Sequence, residues 1–151
     1  MIRANRPERL LKNSLLTPSL AAGVIDAKYV NHLPLNRLSE DFKRKNVNIS
    51  KQVLAGWMIK LADRYLSPVY KHMRDKILKS KLIHCDETPF KVINNGRGPG
   101  TKDYMWVYHS YERYGSPPIY IYGYHDGRRN AEALKEFLGD YKGILMTDGY
   151  N

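Results

Sequence analysis

Apolar side chains recur at helical spacing through the first 81 residues, and this pattern predicts four helices. Thr17-Pro18 pairs a hydroxyl cap with a proline at the first helical position, so the first helix begins there. It ends before Pro34, because a residue that precedes proline is pushed out of the helical region. The other predicted helices begin at Pro34, after Ser50 and at Ser67-Pro68.

At Leu82 the pattern changes to short β-branched and aromatic runs that are separated by glycine and proline. The predicted strands are residues 82–93, 104–108, 119–122 and 144–146, the helix is 130–138, and the turns are 94–100 and 115–118. The order is therefore β-β-β-α-β. Since a helical crossover between parallel strands is right-handed, we expect the fourth strand to lie parallel to the first and next to it.

Two acidic residues follow strands that this topology makes neighbours. Asp86 comes at the end of the first strand and Asp148 at the end of the fourth. Because adjacent strands lie about 4.8 Å apart, the two carboxylates are expected to meet at one edge of the sheet. Two such charges repel each other unless a cation lies between them, and Mg²⁺ or Mn²⁺ prefers oxygen ligands. The pair therefore predicts a metal site suited to phosphodiester chemistry.

Ordinary turn chemistry is the alternative for both acids. Asp86 precedes Thr88-Pro89, where a strand commonly ends, and Asp148 precedes glycine in a common turn pair. The position of the two residues at corresponding strand ends is what favours the metal site. Glu87 alternates to the opposite face from Asp86 in a regular strand, so we interpret it as structural or as a support for the site.

The chain is strongly basic, with 25 Lys and Arg against 15 Asp and Glu and a net charge of +10. Residues 1–81 hold 17 basic and 6 acidic side chains, whereas residues 82–151 hold 8 and 9. This distribution favours a polyanion such as DNA as partner, and a well-solvated surface is the alternative. We therefore divide the chain into a basic, DNA-contacting helical segment, 1–81, and an acid-bearing segment, 82–151.

Six basic residues are the candidates for DNA contact. The second and third predicted helices are joined by a short turn and resemble a helix-turn-helix, although helical hairpins of this size also occur without a DNA-binding role. Two adjacent arginines before the last predicted helix are candidates to hold phosphate next to the acids, or lie in a solvated loop. The candidates are Lys43, Arg44, Lys45, Lys51, Arg128 and Arg129.

Cysteine content and hydropathy predict a cytoplasmic protein without membrane contact. The single cysteine, Cys85, cannot form an intramolecular disulfide, and no paired Cys or His spacing indicates a zinc module. No apolar run approaches the roughly 18 residues that suggest a membrane span. The arginine-rich start lacks the apolar core of a signal peptide. We interpret Cys85 as a small buried hydrophobic residue.

Five stretches resemble the central region of transposases of the insertion sequence 66 family. In order along residues 16–151 they are KYVNHLPLNRLSEDF, LAGWM, HCDETPFKV, YMWVY and GRRNAEALKEFLGDYKGILMTDGYN. The resemblance implies an RNase H-like catalytic domain with a DDE triad of metal-binding acids, preceded by helical DNA-binding segments. By position, Asp86 resembles the first triad aspartate and Asp148 the second. The expected fold is α/β, with an N-terminal helical segment followed by the first half of an RNase H-like mixed sheet.

The chain departs from the family pattern at both ends. The zinc-binding and helical N-terminal region of a full-length member is absent, and so is the triad glutamate, which would lie beyond the fourth strand. We therefore expect a fragment of a DDE transposase that binds DNA at most. Whether such a fragment is an enzyme is left open, and a non-catalytic DNA-binding or regulatory remnant is the alternative.

For the intact enzyme the resemblance implies Mg²⁺, with Mn²⁺ as the alternative cofactor. It also implies cleavage of a phosphodiester at the transposon end, after which the freed 3′-OH attacks target DNA. The expected partners are transposon-end and target DNA, with a second copy of the chain or companion transposition proteins as further candidates.

Overall fold

The computed structural model describes residues 9–92, 96, 101–111 and 117–148. Of the predicted turn 94–100 only Gly96 lies among the described residues, and Ile93 and the start of the turn 115–118 lie outside them. The chain divides into two compact units, Met1–Ser67 and Pro68–Asn151. None of the described helices is both long enough and apolar enough to cross a lipid bilayer.

The first unit is helical, and its helices begin where the sequence predicts. Helix α1 is Pro18–Ile25, α2 is Leu35–Arg44 and α3 is Lys51–Leu61. The Thr17 hydroxyl accepts from the backbone N–H of Leu20, and the Ser50 hydroxyl accepts from that of Val53. These bonds satisfy backbone donors that the first helical turn leaves without partners, which explains why both helices start after a hydroxyl residue.

Helices α1 and α3 each continue into one π-helical turn, Asp26–Val30 and Ala62–Leu66. The second of these turns is followed directly by α4, Ser67–Ile77. Pro68 has no backbone N–H to donate, and it directly follows the π-helical turn, in which the Ser67 N–H donates to the Ala62 carbonyl. The prediction of a new helical segment at Ser67 is confirmed.

Apolar residues from all three helices form the core of the first unit. Leu54 and Trp57 of α3, Val24 of α1 and Leu38 of α2 are buried together. The Ser39 hydroxyl donates to the Ile49 carbonyl at 2.7 Å and so ties α2 to the segment before α3. Leu11 and Leu16, which precede α1, also lie in this core.

The second unit is a four-stranded mixed sheet with helices packed on one face. Its strands are β1 Leu82–Phe90, β2 Asp103–Ser110, β3 Ile119–Gly123 and β4 Ile144–Met146, and helix α5 is Ala131–Leu138. The strand order is β3-β2-β1-β4, with β1 and β4 parallel and the other pairs antiparallel. The predicted topology is confirmed, and it is consistent with part of an RNase H-like fold.

Alternation along β1 separates a helix-covered face from an open face. Ile83 and Cys85 are buried with Ile77 of α4 and Phe137 of α5. The Phe137 ring stacks on Tyr108 of β2 with 3.6 Å between centroids. The residues that alternate with Ile83 and Cys85 therefore lie on the other face of the sheet.

The boundary between the compact units lies before the boundary drawn from charge. The structure divides after Ser67, and Met73 and Ile77 of α4 pack with the sheet. The division at residue 81 into a DNA-contacting and an acid-bearing segment is a statement about function, and it stays a prediction.

Candidate metal centre

The parallel pairing of β1 with β4 brings Asp86 and Asp148 to the same edge of the sheet. His84 of β1 pairs with Met146 of β4, and each aspartate follows its partner in this pair by two residues. The two aspartates are therefore in register, and both are exposed. The two acids meet as the topology predicts, but the prediction that Asp86 ends the first strand is wrong. Asp86 lies in the middle of β1 and pairs with Val107 of β2, because the antiparallel pairing with β2 continues to Phe90 after the shorter pairing with β4 has ended.

Glu87 joins the two aspartates in one group of carboxylates. Asp86, Glu87 and Asp148 each offer one carboxylate oxygen, and these oxygens all lie within 4.8 Å of one another. Glu87 pairs across the strands with Trp106, whose side chain is in the core, so it leaves β1 on the helix-covered side. Its longer side chain nevertheless brings the carboxylate to the sheet edge, which the alternation of the strand alone does not reveal.

An ion pair with Arg129 holds Glu87 in this position. The Arg129 Nε donates to Glu87 Oε1 at 2.5 Å, and the Glu87 side chain is only 9% exposed. The guanidinium also lies over the Tyr104 ring, 5.3 Å from its centroid. The hydrogen bond to Glu87 is the main reason why the pKa of Arg129 is raised above its ordinary value. Glu87 in turn donates its backbone N–H to Asp86 Oδ1 at 2.8 Å.

The neighbouring arginine, Arg128, has different partners. It donates through Nη2 to Glu136 of α5 at 2.6 Å and through Nε to the His125 carbonyl at 3.0 Å. Arg128 and Arg129, the two arginines predicted as candidates to hold phosphate, are therefore both paired with carboxylates. Arg129 contacts the acid group through Glu87, whereas Arg128 fixes the loop that precedes α5.

A shallow groove of about 430 Å³ runs over the open face of the sheet beside the acids. Its lining includes His84, His109 and Tyr120 as well as Asp86 and Asp148. The rings of His109 and Tyr120 stack at 4.2 Å between centroids and 3° between planes. The Nε2 atom of His109 is buried and has no hydrogen-bond partner among the described residues. Sequence reasoning missed His109 and Tyr120, because only the strand register places them beside the acids.

Cys85 is excluded as a nucleophile by its surroundings. The side chain is 3% exposed and lies in the core of the second unit. Burial, reinforced by the negative charges of Glu87 and Asp86, raises the pKa of the thiol to about 12. Since the thiolate is the reactive form, the thiol is unreactive near neutral pH. The interpretation of Cys85 as a buried hydrophobic residue is confirmed.

The basic candidates at the end of α2 are partly neutralised by Asp41. Its carboxylate lies 2.8 Å from Lys45 Nζ and 3.5 Å from Arg44 Nη2. The hydrogen bond from Lys45 is the main cause that lowers the pKa of Asp41. Lys51 is the first residue of α3 and is exposed, as is Lys43. Lys43, Arg44 and Lys45, which we call the α2 cluster, therefore present less uncompensated positive charge than three adjacent basic residues suggest.

A protein-family model described as "Transposase IS66 family" matches residues 13–151. Similar chains include three uncharacterized proteins of Sinorhizobium fredii (strain NBRC 101917 / NGR234). Uncharacterized protein y4qI is 31% identical over 100% of this chain and 28% of its own length. Uncharacterized protein y4hP is 30% identical over 96% of this chain and 26% of its own length. Uncharacterized protein y4jD is 26% identical over 99% of this chain and 30% of its own length. This chain thus spans less than a third of each relative. No solved structure gives a significant match.

Proposed function

The chain belongs to the IS66 transposase family, and from this premise we propose that it carries the first two metal-binding acids of a DDE-type DNA transposase. In the intact enzyme, Asp86 and Asp148 serve metal-dependent cleavage of a phosphodiester at the transposon end, followed by transfer of the 3′-OH to target DNA. The observation that carries the proposal is the set of carboxylate oxygens within 4.8 Å at the edge shared by β1 and β4.

The donor set fits a hard divalent cation, because every ligand atom that it offers is a carboxylate oxygen. Asp86 and Asp148 are the residues that would hold Mg²⁺, or Mn²⁺ in its place, and Glu87 offers a further oxygen. When bound, such ions activate the attacking oxygen and stabilise the leaving oxygen of the phosphodiester. Three carboxylates and the paired Arg129 leave two negative charges at the site, which favours the binding of a divalent cation.

The residues around the acids orient them. Arg129 fixes one oxygen of Glu87, and the Glu87 backbone N–H fixes one oxygen of Asp86. Each carboxylate is thereby limited to fewer orientations before a cation binds, which lowers the conformational entropy lost on binding. The groove over His109 and Tyr120 leads to the acids and is the surface on which we place the DNA strand that reacts.

The first segment of the chain supplies the attraction for DNA. Residues 1–81 carry a net charge of +11, and we assign DNA contact to this segment. The sequence candidates there are Lys43, Arg44, Lys45 and Lys51. Arg128 and Arg129 are better assigned to the support of the sheet unit, because both are paired with carboxylates.

Metal binding tests the assignment of the acids without requiring turnover. We expect Mn²⁺ to broaden the backbone amide NMR signals of residues near Asp86 and Asp148, and this broadening to be lost in Asp86→Asn. Asp140→Asn is the matched control, since Asp140 is an exposed acid outside the group. Equal broadening in the wild type and Asp86→Asn would contradict the assignment.

The second candidate function is a non-catalytic DNA-binding or regulatory role, which the charge of the first segment favours. Incubation of DNA with the chain and Mg²⁺ separates the two only together with the Mn²⁺ broadening at Asp86 and Asp148, because we expect little or no turnover from this chain under either role. Cleavage that disappears in Asp86→Asn supports the enzyme. Salt-sensitive DNA binding without cleavage and without a metal effect supports the regulatory role.

A further inference from the structure

A second basic surface lies in the helical unit, apart from the candidates at the end of α2. Arg9, Lys12 and Arg64 line a surface groove of about 460 Å³ together with Asn13. Arg9 and Lys12 precede α1, whereas Arg64 lies in the π-helical turn Ala62–Leu66. The three cations are brought together by folding, because more than 50 positions separate the segment 9–13 from Arg64.

This surface, which we call the Arg64 groove, stands on a fixed base. The Tyr65 hydroxyl donates to the Leu10 carbonyl at 2.8 Å and so joins the two chain segments. Leu11, next in the chain, is buried in the core of the helical unit. The Arg64 guanidinium lies over the Tyr65 ring, 5.4 Å from its centroid. The backbone that carries the cations is therefore anchored, while their charged ends are exposed.

Charge compensation distinguishes the Arg64 groove from the α2 cluster. Among the described residues, no ion pair involves Arg9, Lys12 or Arg64, and no carboxylate lines the groove. The groove at the end of α2 is lined by Glu40 as well as by Lys43 and Arg44, and Asp41 pairs with two of the basic side chains there. Within the described part of the chain, an anion consequently meets three cations without an ion-pair partner at one site and partly neutralised cations at the other.

We propose that the Arg64 groove binds the phosphate backbone of DNA and is the main DNA anchor of the helical unit. Guanidinium groups donate in a planar fork that matches phosphate oxygens, lysine adds a further positive charge, and the Asn13 amide is a neutral donor. Contacts to the phosphate backbone carry no information about base sequence. The site therefore positions the protein on DNA without sequence specificity. The proposal rests on the proposed function, in which DNA is the substrate.

Two triple variants with the same change in charge test this site. The first is Arg9→Gln, Lys12→Gln and Arg64→Gln, and the second is Lys43→Gln, Arg44→Gln and Lys45→Gln. All six residues are exposed, so we expect both variants to fold, and circular dichroism checks this before binding is measured. Binding of a fluorescein-labelled DNA duplex is measured by anisotropy over a series of KCl concentrations.

We expect the Arg64-groove variant to lose about tenfold or more in DNA affinity at low salt. The slope of log affinity against log salt concentration should become shallower by about three, since each lost phosphate contact removes about one unit of slope. The α2 variant should lose less in both quantities. Equal losses in the two variants would overturn the inference, because they would show a response to net charge alone. An Arg64-groove variant that binds like the wild type would overturn it as well. A wild-type chain that binds no DNA would instead contradict the proposed function.

Discussion

The acid group of the sheet unit and the Arg64 groove of the helical unit hold their charged groups in opposite ways. In the sheet unit Arg129 is paired with Glu87 and Arg128 with Glu136, so each cation fixes a carboxylate or a loop. In the helical unit Arg9, Lys12 and Arg64 have no ion-pair partner among the described residues. Paired charges give fixed geometry, which metal chemistry requires, whereas unpaired surface charges give attraction at a distance, which DNA capture requires.

Because the acid group depends on fixed geometry, we expect it to depend on the packing of α5 against the sheet. Phe137→Ala removes a ring that is 2% exposed and stacked on Tyr108, and it should lower the free energy of unfolding by about 3–5 kcal/mol. Urea denaturation measures the loss. Lys135→Ala on the exposed side of the same helix is the control, with an expected change within about 0.5 kcal/mol. Similar values for both variants would show that α5 does not support the sheet.

Removal of one aspartate should have the largest effect on the site itself. Asp86→Asn retains the shape of the side chain but removes a charged ligand, so the affinity for Mn²⁺ should fall by about a hundredfold. Titration followed by NMR broadening measures the affinity, and Asp140→Asn should leave it unchanged. An affinity for Mn²⁺ that Asp86→Asn leaves intact would place the cation elsewhere in the chain.

A smaller effect is expected from Glu87, because one of its oxygens is already engaged by Arg129. Glu87→Gln should weaken Mn²⁺ binding by about tenfold, the lower end of the effects seen when groups that support metal ligands are changed. The same titration provides the measurement. If Glu87→Gln matched Asp86→Asn, Glu87 would be a ligand of equal weight. No change would reduce it to a partner of Arg129.

The smallest effect concerns the base of the Arg64 groove. Tyr65→Phe removes the hydrogen bond to the Leu10 carbonyl and should cost about 1 kcal/mol of stability. It leaves all three cations in place, so DNA affinity should fall by less than in the triple variant. Denaturation and anisotropy are measured on the same sample. A fall in DNA affinity as large as that of the triple variant would show that position matters more than charge.

Much of the fold follows from local patterns. Hydroxyl residues before the helices at Thr17 and Ser50 fix where α1 and α3 begin, and both caps are observed. The pattern of apolar residues after Leu82 gives the order of strands and helix along the chain. The right-handed crossover then leaves one place in the sheet for β4, next to β1. The π-helical turns at Asp26–Val30 and Ala62–Leu66 were not predicted, because their hydrogen bonds leave no distinct mark on the apolar spacing.

The sequence by itself determined the order of helices and strands, the meeting of Asp86 and Asp148 beside two parallel neighbouring strands, and the basic character of the first segment. Only the tertiary structure decided that Glu87 meets Arg129, 42 positions away, and that Arg64 joins Arg9 and Lys12. Helices, strands and the topology that follows from them depend on patterns among residues that are close together in the chain. The final position of a long charged side chain depends on the groups that folding brings within its reach, and these lie far away in the chain.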